Sequence, residues 1–184
     1  MKFIDKSKFD FSCVQDGSIF CIPASMLCIL KYYDVNITET QFTLMIKMVL
    51  SAPDRYPSFK AAVNGVGPCY LNIYTFEQLF PQTFDDWLKN IKDDIDLLKP
   101  IAIATRNSNG VHIRTIYGYD DAGKRLHLFN TGINSTTQIF QSQNNVVGAV
   151  TTINSGIEVY SYTDAEADWN SQYATKDQLS ITKI

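Results

Sequence analysis

The stretch Ile101 to Asn130 reads IAIATRNSNG VHIRTIYGYD DAGKRLHLFN. Its apolar residues alternate with polar or small ones in three runs. The runs are separated by NSNG and DDAGK, both rich in the residues that favour tight turns. Three period-two runs joined by short turns predict a meander of antiparallel strands. VVGAVTTI and IEVYSY, further on, add two more candidate strands.

Upstream the period is helical. Ile22 to Asp34 is expected to be a helix with Leu27, Ile29 and Leu30 on its apolar faces, and with Pro23 in the first turn, where a missing N–H costs nothing. Thr38 and Gln41 suit a capping box that opens a second helix, TETQFTLMIKMVLS, with Phe42, Ile46 and Val49 recurring at helical spacing. Turn signals from Ala52 to Pro81 leave room for a brief helix over Ser58 to Asn64 and otherwise irregular chain. Thr83 and Asp86 then introduce a third helix whose Trp87, Ile91 and Ile95 form an i, i+4 stripe, and Pro100 ends it. Helices first and strands afterwards predict an α+β fold. The expected organisation is one domain over residues 1–184, helical over about 20–99 and stranded over about 100–162, with a polar tail at 163–184 that little would hold down.

Composition narrows the function. With 184 residues, 45% hydrophobic and 12% aromatic, the chain can bury a full core without staples. Nineteen acidic against sixteen basic residues give a net charge of -3. No Lys or Arg block could neutralise a run of phosphates, so nucleic acid is not an expected partner. No apolar run reaches membrane-spanning length, and Lys and Asp interrupt the start, MKFIDKSKFDFSC, where a signal peptide would be apolar. The chain is therefore expected not to insert in a membrane. No pattern speaks to oligomeric state. Cys13, Cys21, Cys28 and Cys69 are spaced by eight, seven and forty-one residues, which fits no structural zinc pattern. On one helix Cys21 and Cys28 lie about 10 Å apart, too far to bridge.

Cys21 stands where a helix begins. Unpaired N–H groups and a partial positive charge there favour a thiolate. A nucleophilic Cys also needs a base, and the chain has two histidines. His112 follows a Gly-containing turn near the start of a strand; His127 sits inside RLHLF, opposite Leu126 and Leu128, as an ordinary strand residue. Pairing through the turn at Asp121 to Gly123 brings the end of the next strand back, which makes Asn130 a neighbour of His112 and a candidate to orient its ring. A turn-opening role for Asn130 in NTG is equally open. Gln15, with the Cys21 N–H, could donate to an oxyanion, a contribution of about 3 kcal/mol per donor; alone it reads as a loop residue.

The order Gln15, then C21-I-P-A-S, LKYYD, H112-I-R-T-I-Y-G-Y-D-D and LFN130, resembles the papain-like cysteine peptidases, most nearly their bacterial C39-like branch. That family places a Gln before CGPA at the head of a helix and a His strand ending GYDD. Ile22 stands where the family usually has Gly, and Asp34 where a Gly often ends the helix. The resemblance implies a papain-like fold and gives Cys21 the nucleophile's role, His112 the base's, Asn130 the orienting role and Gln15 the oxyanion hole. It implies a Cys21 thiolate paired with a His112 imidazolium, attack on an amide carbonyl, and no metal or cofactor. A polypeptide or other amide-bearing substrate follows. The same thioester chemistry also serves a glutamine deamidase, a transglutaminase-like enzyme or a cell-wall amidase, and the scaffold could be a binding module without turnover. A hydrolase without a leader would suit a secreted or delivered effector.

Overall fold

The computed structural model describes residues 1–8, 21–35, 37, 55–65, 74–107, 110–131, 150–154, 156–171 and 176–184. Its centre is a sheet of eight strands: β1 (Lys2–Phe3), β2 (Tyr74–Leu79), β3 (Ile101–Asn107), β4 (Gly110–Asp120), β5 (Arg125–Phe129), β6 (Val150–Asn154), β7 (Ile157–Ser161) and β8 (Gln178–Lys183). The order across the sheet is β2-β8-β3-β4-β5-β7-β6, with β1 paired to β4 outside that path. Every pairing is antiparallel. The helices are α1 (Cys21–Tyr32), α2 (Arg55–Asn64), α3 (Phe84–Asp96) and α4 (Tyr162–Trp169). The architecture is α+β, with α1 and α3 packed on a large antiparallel sheet.

The meander falls where the period-two runs place it. β3 and β4 pair from Ile101↔Ile116 to Asn107↔Gly110, so Thr105 faces His112 across the ladder. β4 and β5 pair from Asp120↔Arg125 to Thr115↔Phe129, with an irregularity between Ile116 and Gly118. At that irregularity β1 lies against β4, and only glycine fits. A Cβ on Gly118 would stand 2.3 Å from Phe3 Cδ1 and 2.8 Å from the Lys2 carbonyl oxygen.

α1 begins at Cys21 itself. Met26, Leu27, Cys28, Ile29 and Leu30 are all fully buried, as suits a helix enclosed on most sides. It is tied to the sheet by Tyr33, whose hydroxyl donates to the Ile181 carbonyl at 2.9 Å, and by Ser25, whose hydroxyl reaches the Ile113 carbonyl at 3.5 Å. Val35 N–H bonds Leu30 O and Asp34 N–H bonds Lys31 O, a Schellman close in which Asp34 takes the left-handed position with φ 63°. Here Asp does what glycine does at a helix end, at the steric cost that a short polar side chain can bear.

α3 follows its sequence signals closely. Thr83 caps it by accepting from the Asp86 N–H, and Trp87, Ile91 and Ile95 are buried. Its end is another Schellman close: Lys99 N–H to Asp94 O, Leu98 N–H to Ile95 O, and Leu98 at φ 60°. Leucine has no compensation for that backbone, and its side chain is 54% exposed. Leu98→Gly should therefore stabilise the protein by about 1 kcal/mol and raise the melting temperature by about 2–4 °C. A variant melting at or below the wild-type temperature would contradict this account of the turn.

Three expectations need correction. Among the described residues between Ala52 and Pro81, the helix starts earlier than Ser58, α2 beginning at Arg55, and Tyr74–Leu79 is a strand rather than irregular chain. The residues after Thr163 are not a loose tail. They complete α4, capped by Ser161 Oγ accepting from Asp164 N–H at 3.0 Å, and then form β8 between β2 and β3. Gln178, Leu179, Ser180 and Ile181 are buried there, and Gln178 Nε2 donates to the Trp87 carbonyl at 2.7 Å. Finally, β1, β2 and α4 break the simple helices-then-strands order. The second helix expected at 38–51 lies outside the described residues.

Candidate active site

Two elements meet at the candidate site: the first turn of α1 and the β3 end of β4. Cys21, the first residue of α1, is 9% exposed. The backbone of Ile113, next in the chain to His112, acts to lower the pKa of the Cys21 thiol, as do the backbones of Ile22 and of Cys21 itself. Burial nevertheless outweighs these influences and pushes the thiol above its ordinary range.

His112 is buried at 6% exposure, and its Nε2 lies 2.7 Å from Asn130 Oδ1. Asn130 follows β5 directly and is fixed by its own N–H to the Gly156 carbonyl, 2.8 Å. Behind it is a chain of groups that no sequence reading anticipated. Asn130 Nδ2 donates to Glu158 Oε1 at 2.8 Å, and Arg114 Nε donates to Glu158 Oε2 at 2.8 Å. Arg114 Nη1 donates to Thr105 Oγ1, whose hydroxyl donates to the His112 carbonyl at 3.1 Å. The circuit thus leaves the imidazole and returns to the backbone of the same residue. Thr105, Arg114, Asn130 and Glu158 are each at most 1% exposed.

Burial drives the His112 pKa down from its ordinary 6.5 to about 3; the Arg114 charge adds to the fall and the Asn130 bond opposes it. Burial therefore works against the expected thiolate and imidazolium pair, raising the thiol and lowering the imidazole. The reason is the dry setting: taking both charges from water costs more than the helix terminus and the backbone bonds return.

Gln15, Cys13 and Cys69 lie outside the described residues. Cys28 is fully buried within the core. His127 is remote from the circuit in role: its ring packs 4.7 Å from Phe3 and 6.2 Å from Tyr117. Among the described residues no three His, Cys, Asp or Glu side chains are grouped to hold a metal. No described helix is long and apolar enough to cross a membrane. The signal for Arg114 was present in VHIRT, since residues 112 and 114 share one face of a strand. A cation on the same buried face as a histidine requires an acid nearby.

The Peptidase_C39 like family model matches residues 7–145, well over half of the chain and spanning Cys21, His112 and Asn130. No curated protein matches the chain. Among solved structures, the "Crystal Structure of Pseudomonas Avirulence Protein AvrPphB" aligns at 12% identity over 93% of this chain and 97% of that one, with a TM-score of 0.38, a likeness too slight to carry an argument. The family match stands without it: the chain belongs to the Peptidase_C39 like family, within the papain-like cysteine hydrolases.

Proposed function

We propose that this chain is a cysteine peptidase, acting as one domain over residues 1–184, that hydrolyses a peptide bond through a thioester on Cys21. The observation that carries the reading is the His112 to Asn130 bond of 2.7 Å, on the strand β4 against which α1, with Cys21 as its first residue, is packed. An imidazole held through one nitrogen presents the other for proton transfer.

From the neutral resting pair, the thiol proton passes to His112 Nδ1 as sulfur attacks the carbonyl carbon, so that no isolated thiolate has to persist in a buried site. The S–C bond forms and the oxyanion is received by the Cys21 N–H and Gln15. His112 then gives the proton to the departing amine as the C–N bond breaks. Water, deprotonated by the same nitrogen, attacks the thioester, and sulfur leaves with the proton restored. Every step is served by residues of the chain.

The test is to treat a proteome with the wild type and with Cys21→Ala, scoring new peptide termini separately from glutamine-to-glutamate mass changes. New termini that require Cys21 are the expected result. Cys21-dependent deamidation without new termini would transfer the same machinery to a deamidase, and no Cys21-dependent product of either kind would leave a binding module.

A further inference from the structure

We propose that Glu158, paired with Arg114 at 2.8 Å, is a positioning residue that sets the tautomer of His112 by dictating which way round the Asn130 amide lies. The proposal rests on the cysteine hydrolase reading for its catalytic meaning. Its structural content stands separately.

The direction of each bond in the circuit follows from its far end. An arginine side chain only donates, and a carboxylate only accepts. Arg114 Nε therefore donates to one oxygen of Glu158, and the other oxygen, 2.8 Å from Asn130 Nδ2, also requires a donor. That fixes the amide with its NH₂ toward Glu158 and its oxygen toward His112. Asn130 Oδ1, 2.7 Å from Nε2, in turn requires that Nε2 carry the ring proton. Nδ1 is left with a lone pair, the state a general base needs. Without Glu158 an asparagine can present either end to the ring, because its two ends differ only in what they bond.

Glu158→Gln keeps the shape and reverses the logic. The introduced side chain offers one acceptor and one donor. Arg114 takes the acceptor, so the introduced NH₂ faces Asn130, which turns its oxygen to meet it and its own NH₂ to His112. Nε2 becomes an acceptor and the ring proton moves to Nδ1. A second substitution restores the order. In Asn130→Asp with Glu158→Gln, the introduced carboxylate accepts from Nε2–H on one side and from the introduced amide on the other, the amide oxygen still accepts from Arg114, and the buried negative charge is retained. Fixing the wrong imidazole tautomer in a catalytic triad costs about 10⁴-fold in kcat.

The experiment reads the His112 tautomer by long-range ¹⁵N–¹H correlation and the rate of Cys21 alkylation by iodoacetamide at pH 7. The wild type should carry the proton on Nε2. E158Q should carry it on Nδ1 and alkylate at least about tenfold more slowly, a conservative share of the 10²–10⁴ that general-base catalysis supplies. The double variant N130D/E158Q should regain the Nε2 proton and an alkylation rate within about threefold of wild type. Retention of the Nε2 proton in E158Q, or a double variant that keeps the Nδ1 proton, overturns the proposal. If E158Q does not fold, the double variant decides alone: it must fold with the proton on Nε2, and an unfolded one counts against the proposal. His112→Ala separates the two readings. Unchanged Cys21 alkylation in that variant would remove the hydrolase, while the tautomer result still judges Glu158.

Discussion

Glu158→Ala should lower stability by about 3–5 kcal/mol, a large part of the 5–15 kcal/mol that holds a typical domain together. The Arg114 to Glu158 pair is 2.8 Å apart with both side chains at 0% exposure. At an effective dielectric of about 20, two charges at that distance attract by about 6 kcal/mol. Removing each from water costs several kcal/mol, so the intact pair contributes little net stability. Taking away one partner is different: the desolvation cost of the remaining ion stays and the attraction is gone. An arginine cannot escape by losing its proton. The shift expected in the melting temperature is about 6–20 °C. Replacing both, as Arg114→Met with Glu158→Leu, should cost less than Glu158→Ala alone, because no buried charge is stranded; Asn130 Nδ2 loses its acceptor and Thr105 Oγ1 loses a donor. Urea denaturation of the single and double variants completes a thermodynamic cycle. A loss below about 1 kcal/mol in Glu158→Ala, or a double variant that costs the sum of its parts, would show that the two side chains are not coupled as their geometry requires.

The same pair marks the limit of what the sequence reveals. In β7 the text IEVYS invites the reading that Ile157 and Val159 face the core and Glu158 faces water. The burial is reversed: Glu158 and Tyr160 are buried, and Ile157 and Val159 are half-buried. A period-two pattern identifies a strand, and it orients the strand only when polar residues cannot find partners inside. Arg114 and Asn130 supply those partners from strands distant in sequence. β8 was hidden for a similar reason. QLSITK has polar residues at alternate positions, and Gln178 and Ser180 are buried because β8 is flanked on both sides in the sheet and Gln178 bonds the Trp87 carbonyl. Where signals are local they were legible: the Thr83 cap, the Trp87, Ile91 and Ile95 stripe, the hairpin between β4 and β5 and the helix start at Cys21 all depend on neighbours within a few residues. Asn130 was within reach because one hairpin brings it back toward His112. Glu158 was not, because its place is set by the pairing of β5 with β7.

His112 sits at the end of this circuit, and its burial has a consequence for the behaviour of the whole protein in acid. Its pKa falls from 6.5 to about 3 on folding, so between those values the unfolded chain binds a proton that the folded chain does not. Stability is complete above about 6.5 and is lost as the pH falls toward 3, by about 1.4 kcal/mol per pH unit. At pH 4.5 the loss attributable to this residue is about 2–3 kcal/mol relative to pH 7. His112→Gln has no charge to gain, and its amide can still donate to Asn130 Oδ1. The urea stability of this variant should therefore fall less than that of the wild type between pH 7 and 4.5, by that same amount. Carboxylates held below their usual range, such as Asp120 beside the Gly123 N–H and Arg125, titrate alike in both proteins and cancel. If both proteins lose equal stability, His112 is not buried neutral. An imidazolium paired with a Cys21 thiolate holds the same number of protons as the neutral pair and would keep the acid slope, so equal losses would mean that the folded site takes up a proton as readily as the unfolded chain. The comparison thus decides from folding alone, before any substrate is known, whether the folded site resists taking up a proton, and it locates the acid limit of the protein in unfolding rather than in protonation of a folded base.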